Sequence, residues 1–187
     1  MAEIIDSLRE DHRNMHRLLD VLDSQVEVFR RGEEPDYDLL TQTVDYCLNY
    51  PDRVHHPKED RVYRRMAEKD PALKKQVGDL EAAHVALSEL TQRVAQTLDA
   101  ILKEGEVDRQ AVVGVTETFI RAYRRHIDIE EKSFFPLAER VLEADDWQAI
   151  EADMAQSPDP LFGEEAVENY RRLRDNVIRW SGVDATR

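Results

Sequence analysis

The sequence predicts an all-α fold: an up-down-up-down four-helix bundle followed by an additional C-terminal helical segment. Three observations carry this expectation. Four long stretches repeat apolar residues at helical spacing, short turn-forming connectors separate them, and no stretch alternates apolar and polar residues as a strand would. Only 6 Gly and 7 Pro occur in 187 residues, and the abundance of Leu, Ala, Glu and Arg favours helices over a sheet.

The first helix is expected from about Ala2 to Arg31, stopped by Gly32, with Glu33, Glu34 and Pro35 as connector. The second runs from about Asp36 to Lys69, interrupted by Pro51 and Pro57. Each proline removes a backbone donor and crowds the preceding turn, so a kink or irregularity is expected between Tyr50 and His56. The third runs from Pro71, suited to a first helical turn, to Glu104, with Gly105 as its stop. The fourth runs from Asp108 to Glu143. Connectors this short make neighbouring helices antiparallel. Residues 1–143 thus form the bundle, and residues 144–187 a helical extension packing on it. Within the extension, Trp147–Ala155 reads as a short helix, Ser157–Gly163 as a loop and Glu164–Trp180 as a final helix. Trp147, Phe162 and Trp180 there need somewhere to pack.

Charge and length remove several function classes. With 26 Lys and Arg against 40 Asp and Glu, a formal charge of −14 repels phosphate backbones and anionic bilayers, so neither nucleic acid nor membrane is an expected partner. No apolar run approaches the roughly 18 residues needed to cross a bilayer, and the N-terminus lacks a signal-peptide apolar region, so a cytoplasmic location is expected. Cys47 is the only cysteine, which rules out an internal disulfide and thiolate clusters. Any metal must be held by nitrogen and oxygen.

The histidines supply the nitrogen. His12 and His16 lie on the first helix, His55 and His56 on the second, His84 on the third and His126 on the fourth. At about 100° per residue, the third helix's apolar stripe of Leu73, Val77, Leu80, Leu87, Val94 and Leu98 contains His84. The fourth helix's stripe of Val112, Val115, Phe119, Leu137 and Val141 contains both His126 and Glu130. On the first helix His12 points inward more than His16. On the second, Val62 and Met66 place His55 and Glu59 inside, with His56 about 100° away. His16 and His56 are therefore expected in supporting or surface roles.

An internal repeat sharpens the pattern. The run from His55 through Glu59 and Asp60 to Tyr63 matches that from His126 through Glu130 and Glu131 to Phe134. Residues four apart lie about 40° apart around a helix and about 6 Å along it, so one imidazole and one carboxylate can reach a common centre. Two such pairs, with His12 and His84, make a credible cage for two metal ions. A lone core histidine is ordinarily a hydrogen-bonded structural residue. Two carboxylates buried among apolar side chains, however, cost several kcal/mol each without compensation, and a pair of cations compensates directly. Tyr46, Tyr50 and Tyr123 are expected as core packing with hydroxyls satisfied locally, donation to a bound ligand or coordination being their other possible roles.

This sequence resembles the hemerythrin-like family, the HHE cation-binding domain. The resemblance rests on Asp11-His12, the His55-His56-Pro57-Lys58-Glu59-Asp60 run, His84, and His126 with Glu130-Glu131 leading to Phe134-Phe135-Pro136. It covers roughly residues 1 to 143. It implies a four-helix bundle around a non-haem di-iron centre bridged by carboxylates and an oxygen species. Carried over residue by residue, His12, His55, His84 and His126 match the imidazole ligands, and Glu59 and Glu130 the bridging carboxylates. Oxygen-transporting members carry a further histidine on the third helix and an aspartate five residues after the fourth helix's histidine. This chain, with His84 alone and Glu130 four residues after His126, is more similar to bacterial H-HxxxE-H-HxxxE members.

The expected cofactor is therefore two iron ions, with zinc or manganese chemically compatible with the same donors. The expected partner is dioxygen or another small diatomic or peroxide ligand, because each ion stays short of six protein ligands. Three functions follow: oxygen, iron or redox sensing and handling; a di-iron enzyme acting on peroxide or nitric oxide; or a structural, metal-stabilised interaction module. A structural site would ordinarily saturate coordination, which disfavours the third.

Overall fold

The computed structural model describes residues 3–104, 108–152, 159, 161 and 170–181. Its helices are α1 (Glu3–Arg30), α2 (Tyr37–Asn49), α3 (His56–Lys69), α4 (Lys74–Val77), α5 (Leu80–Glu104), α6 (Arg109–Ile129), α7 (Phe135–Val141), α8 (Ala144–Ala152) and α9 (Arg171–Ser181). No strand occurs among the described residues, and the all-α expectation holds. The bundle's four rods are α1, α2 continued by α3, α5, and α6 continued by α7. Around it, α1 packs on α6, α6 on α5, α5 on α2, and α2 returns to α1.

Local chemistry sets the ends. Gly32, at φ +85°, turns the chain out of α1 while its N–H donates to the Phe29 carbonyl and the Glu33 N–H to that of Val28; a left-handed residue after a helix is where glycine costs least. Asp36 caps α2, its carboxylate accepting from the Leu39 N–H at 3.0 Å.

The expected irregularity between Tyr50 and His56 is a turn of π-helix, Pro51–His55. A second, not anticipated from sequence, occupies Glu130–Phe134. They share one cause. In the first, the His56 N–H reaches back five residues to the Pro51 carbonyl; in the second, the Phe135 N–H reaches the Glu130 carbonyl. Each of those residues immediately precedes a proline, Pro57 or Pro136, whose ring would crowd the carbonyl four residues back. The widened turn relieves that clash without ending the rod.

The continuous third helix expected from Pro71 to Glu104 is corrected. The chain forms a 3₁₀ turn over Pro71–Leu73, then the short α4, then breaks at Gly78 before α5 begins at Leu80. Gly78 adopts φ +91° and ψ −169°, a conformation essentially reserved for glycine. The next residue, Asp79, caps α5 by accepting from the Ala82 N–H. Tyr63 on α3 fixes the break by donating its hydroxyl to the Gly78 carbonyl at 2.7 Å.

Beyond the bundle, α8 docks on α3. Asp146 accepts from the Glu143 N–H at its own helix start, as in a capping box, and from Arg65 and Lys69 of α3. Leu161, Leu173 and Val177 join the same apolar cluster as Leu18, Leu22 and Phe119, and α9 lies on α1 and α2. The expected short helix spans Ala144–Ala152 and the final helix is seen over Arg171–Ser181. The remainder of the expected loop and helix ends, with Phe162 and the Trp180 side chain, lies outside the described residues.

The apolar interior has two parts. One holds Met15, Leu19, Tyr50, Leu87, Phe119 and Tyr123 among others. The other holds Leu8, Val62, Met66, Leu80, Phe134 and Phe135. Along every rod the change from one part to the other falls at the same level, between Leu8 and Met15, Tyr50 and Val62, Leu80 and Leu87, and Ile127 and Phe134. His12, His55, His56, Glu59, His84 and Glu130 occupy that level, with His126 beside Ile127 at its edge.

Candidate metal centre

All six residues expected as ligands are buried together. Glu59 and Glu130 are fully enclosed, and His12, His55, His84 and His126 are 3 to 6% exposed. α1 contributes His12, the first π-turn His55, α3 Glu59, α5 His84, α6 His126 and the second π-turn Glu130.

Their donor atoms converge. His12 Nε2 lies 3.2 Å from His55 Nε2, 3.5 Å from Glu59 Oε1 and 3.3 Å from Glu130 Oε2. Glu59 Oε2 lies 3.4 Å from both His55 Nε2 and His84 Nε2. Glu130 Oε1 lies 3.3 Å from His84 Nε2 and 2.8 Å from His126 Nε2. Despite these short separations, both Glu59 oxygens, Glu130 Oε2 and His126 Nε2 make no aligned hydrogen bond. Buried charged oxygens without partners are costly. Atoms that approach one another yet aim at a shared point are what a cation satisfies: with metal–donor bonds of about 2.1 Å, neighbouring donors of an octahedron stand about 3 Å apart. The residues present fit a pair of metal ions. Two groups have one ligand atom per residue within 4.8 Å of one another, His12-His55-Glu59 and His56-Glu59-His84-His126. Glu59 belongs to both.

A ring of acids holds the far side of the imidazoles. Asp11 faces His55 Nδ1 at 3.1 Å, Asp60 faces His84 Nδ1 at 2.8 Å, and Glu131 faces His12 Nδ1 at 2.8 Å. Each such carboxylate accepts an Nδ1–H and leaves Nε2 pointing inward, the arrangement that orients metal-binding histidines. Arg9 pairs with both Glu131 and Glu139, so even this outer acid is charge-balanced. Asp11, Asp60 and Glu131 each adjoin a ligand in the sequence, but each serves a histidine from a different helix, a pairing that only packing sets.

The electrostatics follow from burial against charge. Burial lowers the basicity of His12, but the close carboxylates of Glu130, Glu131 and Glu59 outweigh it and lift the group to about 11. His84 is likewise lifted to about 11, against burial, by Asp60, Glu130 and Glu59, and His55 to about 9 by Glu59 and Asp11. Against its own burial and the repulsion of Glu59, Glu130 is held down at about 2 by His126 and His12. Glu59 is held well below the usual carboxylate range by His55, His12 and His84 in spite of complete burial. The two carboxylates thus stay ionised and demand positive charge, which protons on the imidazoles supply when no metal does.

His56 is not at the surface, one of the two roles expected of it from the sequence. It is 3% exposed and faces α5 and α6, its ring parallel to that of His84 at 4.2 Å. Burial, only partly offset by Asp52, pushes it down to about 4, so it is a neutral imidazole. His55 and His56, about 100° apart on one helix, look toward two different neighbours: His55 toward α1, His56 toward α5. His16 is half-buried and belongs to neither donor group.

The tyrosines are core residues, as expected, but their hydroxyls are not all satisfied locally. Tyr50 donates to Asp11, Tyr46 donates to Asp159 in the C-terminal segment at 2.8 Å, and the Tyr123 hydroxyl stands 3.5 Å from His56 Nε2. With Asp11, His12, Met15, Pro51 and His55 they line a cavity with room for about one water molecule beside the His12–His55 pair.

Fold and donor set together define a helical-bundle protein that binds cations through nitrogen and oxygen. Residues 3–138 match the family model described as hemerythrin HHE cation binding domain. The chain belongs to that family. Neither the curated proteins nor the solved structures return a match to it. No helix among the described residues is long and apolar enough to cross a membrane.

Proposed function

We propose that His12, His55, Glu59, His84, His126 and Glu130 hold two iron ions in a non-haem centre. In this reading the protein takes up dioxygen or a related small ligand in the sensing or handling of oxygen, iron or redox state. The observation that carries it is Glu59. This carboxylate has both oxygens buried without hydrogen-bond partners and belongs to both candidate donor groups, which is the position of a bridge. Imidazole and carboxylate without sulfur suit iron, and equally admit manganese or zinc. An iron pair would supply redox and Lewis-acid chemistry. The chain's own residues exclude bulk water, fix the imidazoles through Asp11, Asp60 and Glu131, and leave a cavity for a small ligand on the His12–His55 side. Tyr50 and Asp11 line that cavity and make it polar enough to orient a diatomic or a peroxide.

The test is metal analysis of the purified full chain with absorption spectra under air, under reductant and after re-oxygenation. About two irons per chain with a reversible spectral change is the expected result. One zinc per chain and no visible band would overturn the reading in favour of a structural module. Sustained consumption of peroxide or nitric oxide by the iron-loaded chain would replace it with the enzymatic alternative.

A further inference from the structure

Three of the core tyrosines stand in file between the centre and the surface. Tyr46 on α2 and Tyr50 at its C-terminal end stack with ring centres 5.6 Å apart, and Tyr46 meets Tyr170, just before α9, edge-on at 5.9 Å. These are separations of aromatic rings in direct contact. At the inner end, Tyr50 lines the same cavity as His12 and His55, and its hydroxyl donates to Asp11, the acid that holds His55 Nδ1. At the outer end, Tyr170 is 8% exposed and donates at 2.6 Å to Asp45, which faces solvent. Tyr46 donates to Asp159 at 2.8 Å. Tyr63, outside the file, donates to a backbone carbonyl instead. The difference matters because a carboxylate can take up the proton of a phenol and a carbonyl cannot. Burial first, and then the same aspartates, push Tyr46 and Tyr170 above the ordinary phenol range, so each ring holds a proton to pass. Asp159 and Tyr170 both lie beyond residue 138, where the match to the family ends. The C-terminal segment thus completes the file.

We propose that Tyr46 and Tyr170, joined to the centre through Tyr50, form a relay that carries single electrons inward from the protein surface. The assignment rests on the two-ion reading above. An oxidant reduced at the centre, here hydrogen peroxide, draws an electron from Tyr46, whose hydroxyl proton passes to Asp159. The Tyr46 radical then takes an electron from Tyr170 and recovers its proton from Asp159, while Tyr170 gives its own proton to Asp45. A soluble hydroquinone at the exposed end restores the Tyr170 electron, and Asp45 returns the proton. Two such transfers break the O–O bond. Hydrogen peroxide, two electrons and two protons become two waters, and the hydroquinone that supplies both electrons and both protons becomes a quinone. Tyr50 bridges the gap without holding a radical, because Asp11 is already engaged by the His55 Nδ1–H and gives the Tyr50 proton no acceptor.

The test mixes the iron-loaded full chain, its metal content measured, with hydrogen peroxide and a nitroso spin trap, and maps the trapped sites by peptide mass spectrometry. The expected result is an adduct on Tyr170 in preference to Tyr37, although Tyr37 is the more exposed of the two; an oxidant diffusing in solution would favour the reverse. Hydroquinone should suppress the adduct while yielding one quinone for each peroxide consumed. Tyr46→Phe, which keeps the ring and removes the hydroxyl, should lose the Tyr170 adduct at unchanged iron content. Trapping on Tyr37 as readily as on Tyr170, or a Tyr170 adduct that survives Tyr46→Phe, would overturn the relay. The absence of any tyrosine adduct on a chain that holds its iron would overturn the relay and leave the two-ion reading standing. A chain that takes up no iron would overturn both. The wild-type map decides the matter even if the variant does not fold.

Discussion

Glu59→Gln removes one charge from the middle of the bundle while keeping shape and volume, and two consequences can be worked out. Without metal, the Glu59 oxygens lie 3.4 to 3.5 Å from the Nε2 atoms of His12, His55 and His84. At an effective dielectric constant near 20, a unit pair at that distance is worth about 5 kcal/mol, set against a desolvation cost of several kcal/mol for a buried carboxylate. The imidazoles can also shed their protons and limit the loss. The net expectation is the cost of breaking a buried ion pair from one side, about 3 to 5 kcal/mol, which is a large part of a typical domain's 5 to 15 kcal/mol. With metal, the loss is shared: Glu59 is common to both donor groups, so the glutamine variant should weaken both ions, whereas His126→Ala removes a donor from one group only. Urea unfolding of chelator-treated protein gives the first quantity, and metal analysis after equilibrium against a competing chelator gives the second. A change in apo stability below about 1 kcal/mol, or two ions retained at wild-type affinity, would refute the reasoning.

Three further predictions concern parts that support the centre. Asp60→Asn replaces the acceptor 2.8 Å from His84 Nδ1 and should lower metal affinity by about 10- to 100-fold with helix content unchanged by circular dichroism; a loss under about threefold would show that Asp60 does not orient the ring. Gly78→Ala meets nothing within 4 Å of the new Cβ, so its cost is purely that of holding alanine at φ +91°, about 1 to 3 kcal/mol in urea unfolding; an unchanged midpoint would contradict it. Asp146→Asn should cost about 1 to 2 kcal/mol at neutral pH by weakening the α8–α3 contact. The Glu143 N–H first, then Lys69 and Arg65, hold this carboxyl down at about 2. Its contribution is therefore complete above the ordinary aspartate range and lost as pH falls toward 2. Melting curves of the two proteins should converge between about pH 4 and pH 2, and a gap that widened there would have the wrong sign.

Much of this architecture is legible in the chain because it depends on local chemistry. Asp36 and Gly32 mark ends by capping and by left-handed backbone; Pro51 and Pro57 mark a disturbance; His12, His84 and His126 interrupt apolar stripes at one level. The break at Gly78-Asp79 was legible too, since glycine followed by a capping acid is a stop and a start, but an otherwise continuous periodicity concealed it. The second π-turn had only Pro136 to announce it. The burial of His56 is not legible from a single apolar stripe, because a rod inside a bundle faces two neighbours and buries residues about 100° apart. The pairings of Asp11 with His55, Asp60 with His84 and Glu131 with His12 depend on how separate helices rotate against one another. No spacing within a single helix encodes them.

Those pairings tie the centre to the whole assembly. Asp11 on α1 steadies a histidine of the neighbouring rod, Asp60 on α3 steadies one on α5, and Glu131 steadies one back on α1. None of these three rings is aimed by its own helix. An isolated hairpin cut from the bundle would keep at most one of the three pairings and only part of the donor set, and would hold a cation weakly. All three rings are oriented together only in the assembled bundle, where every rod supplies its part.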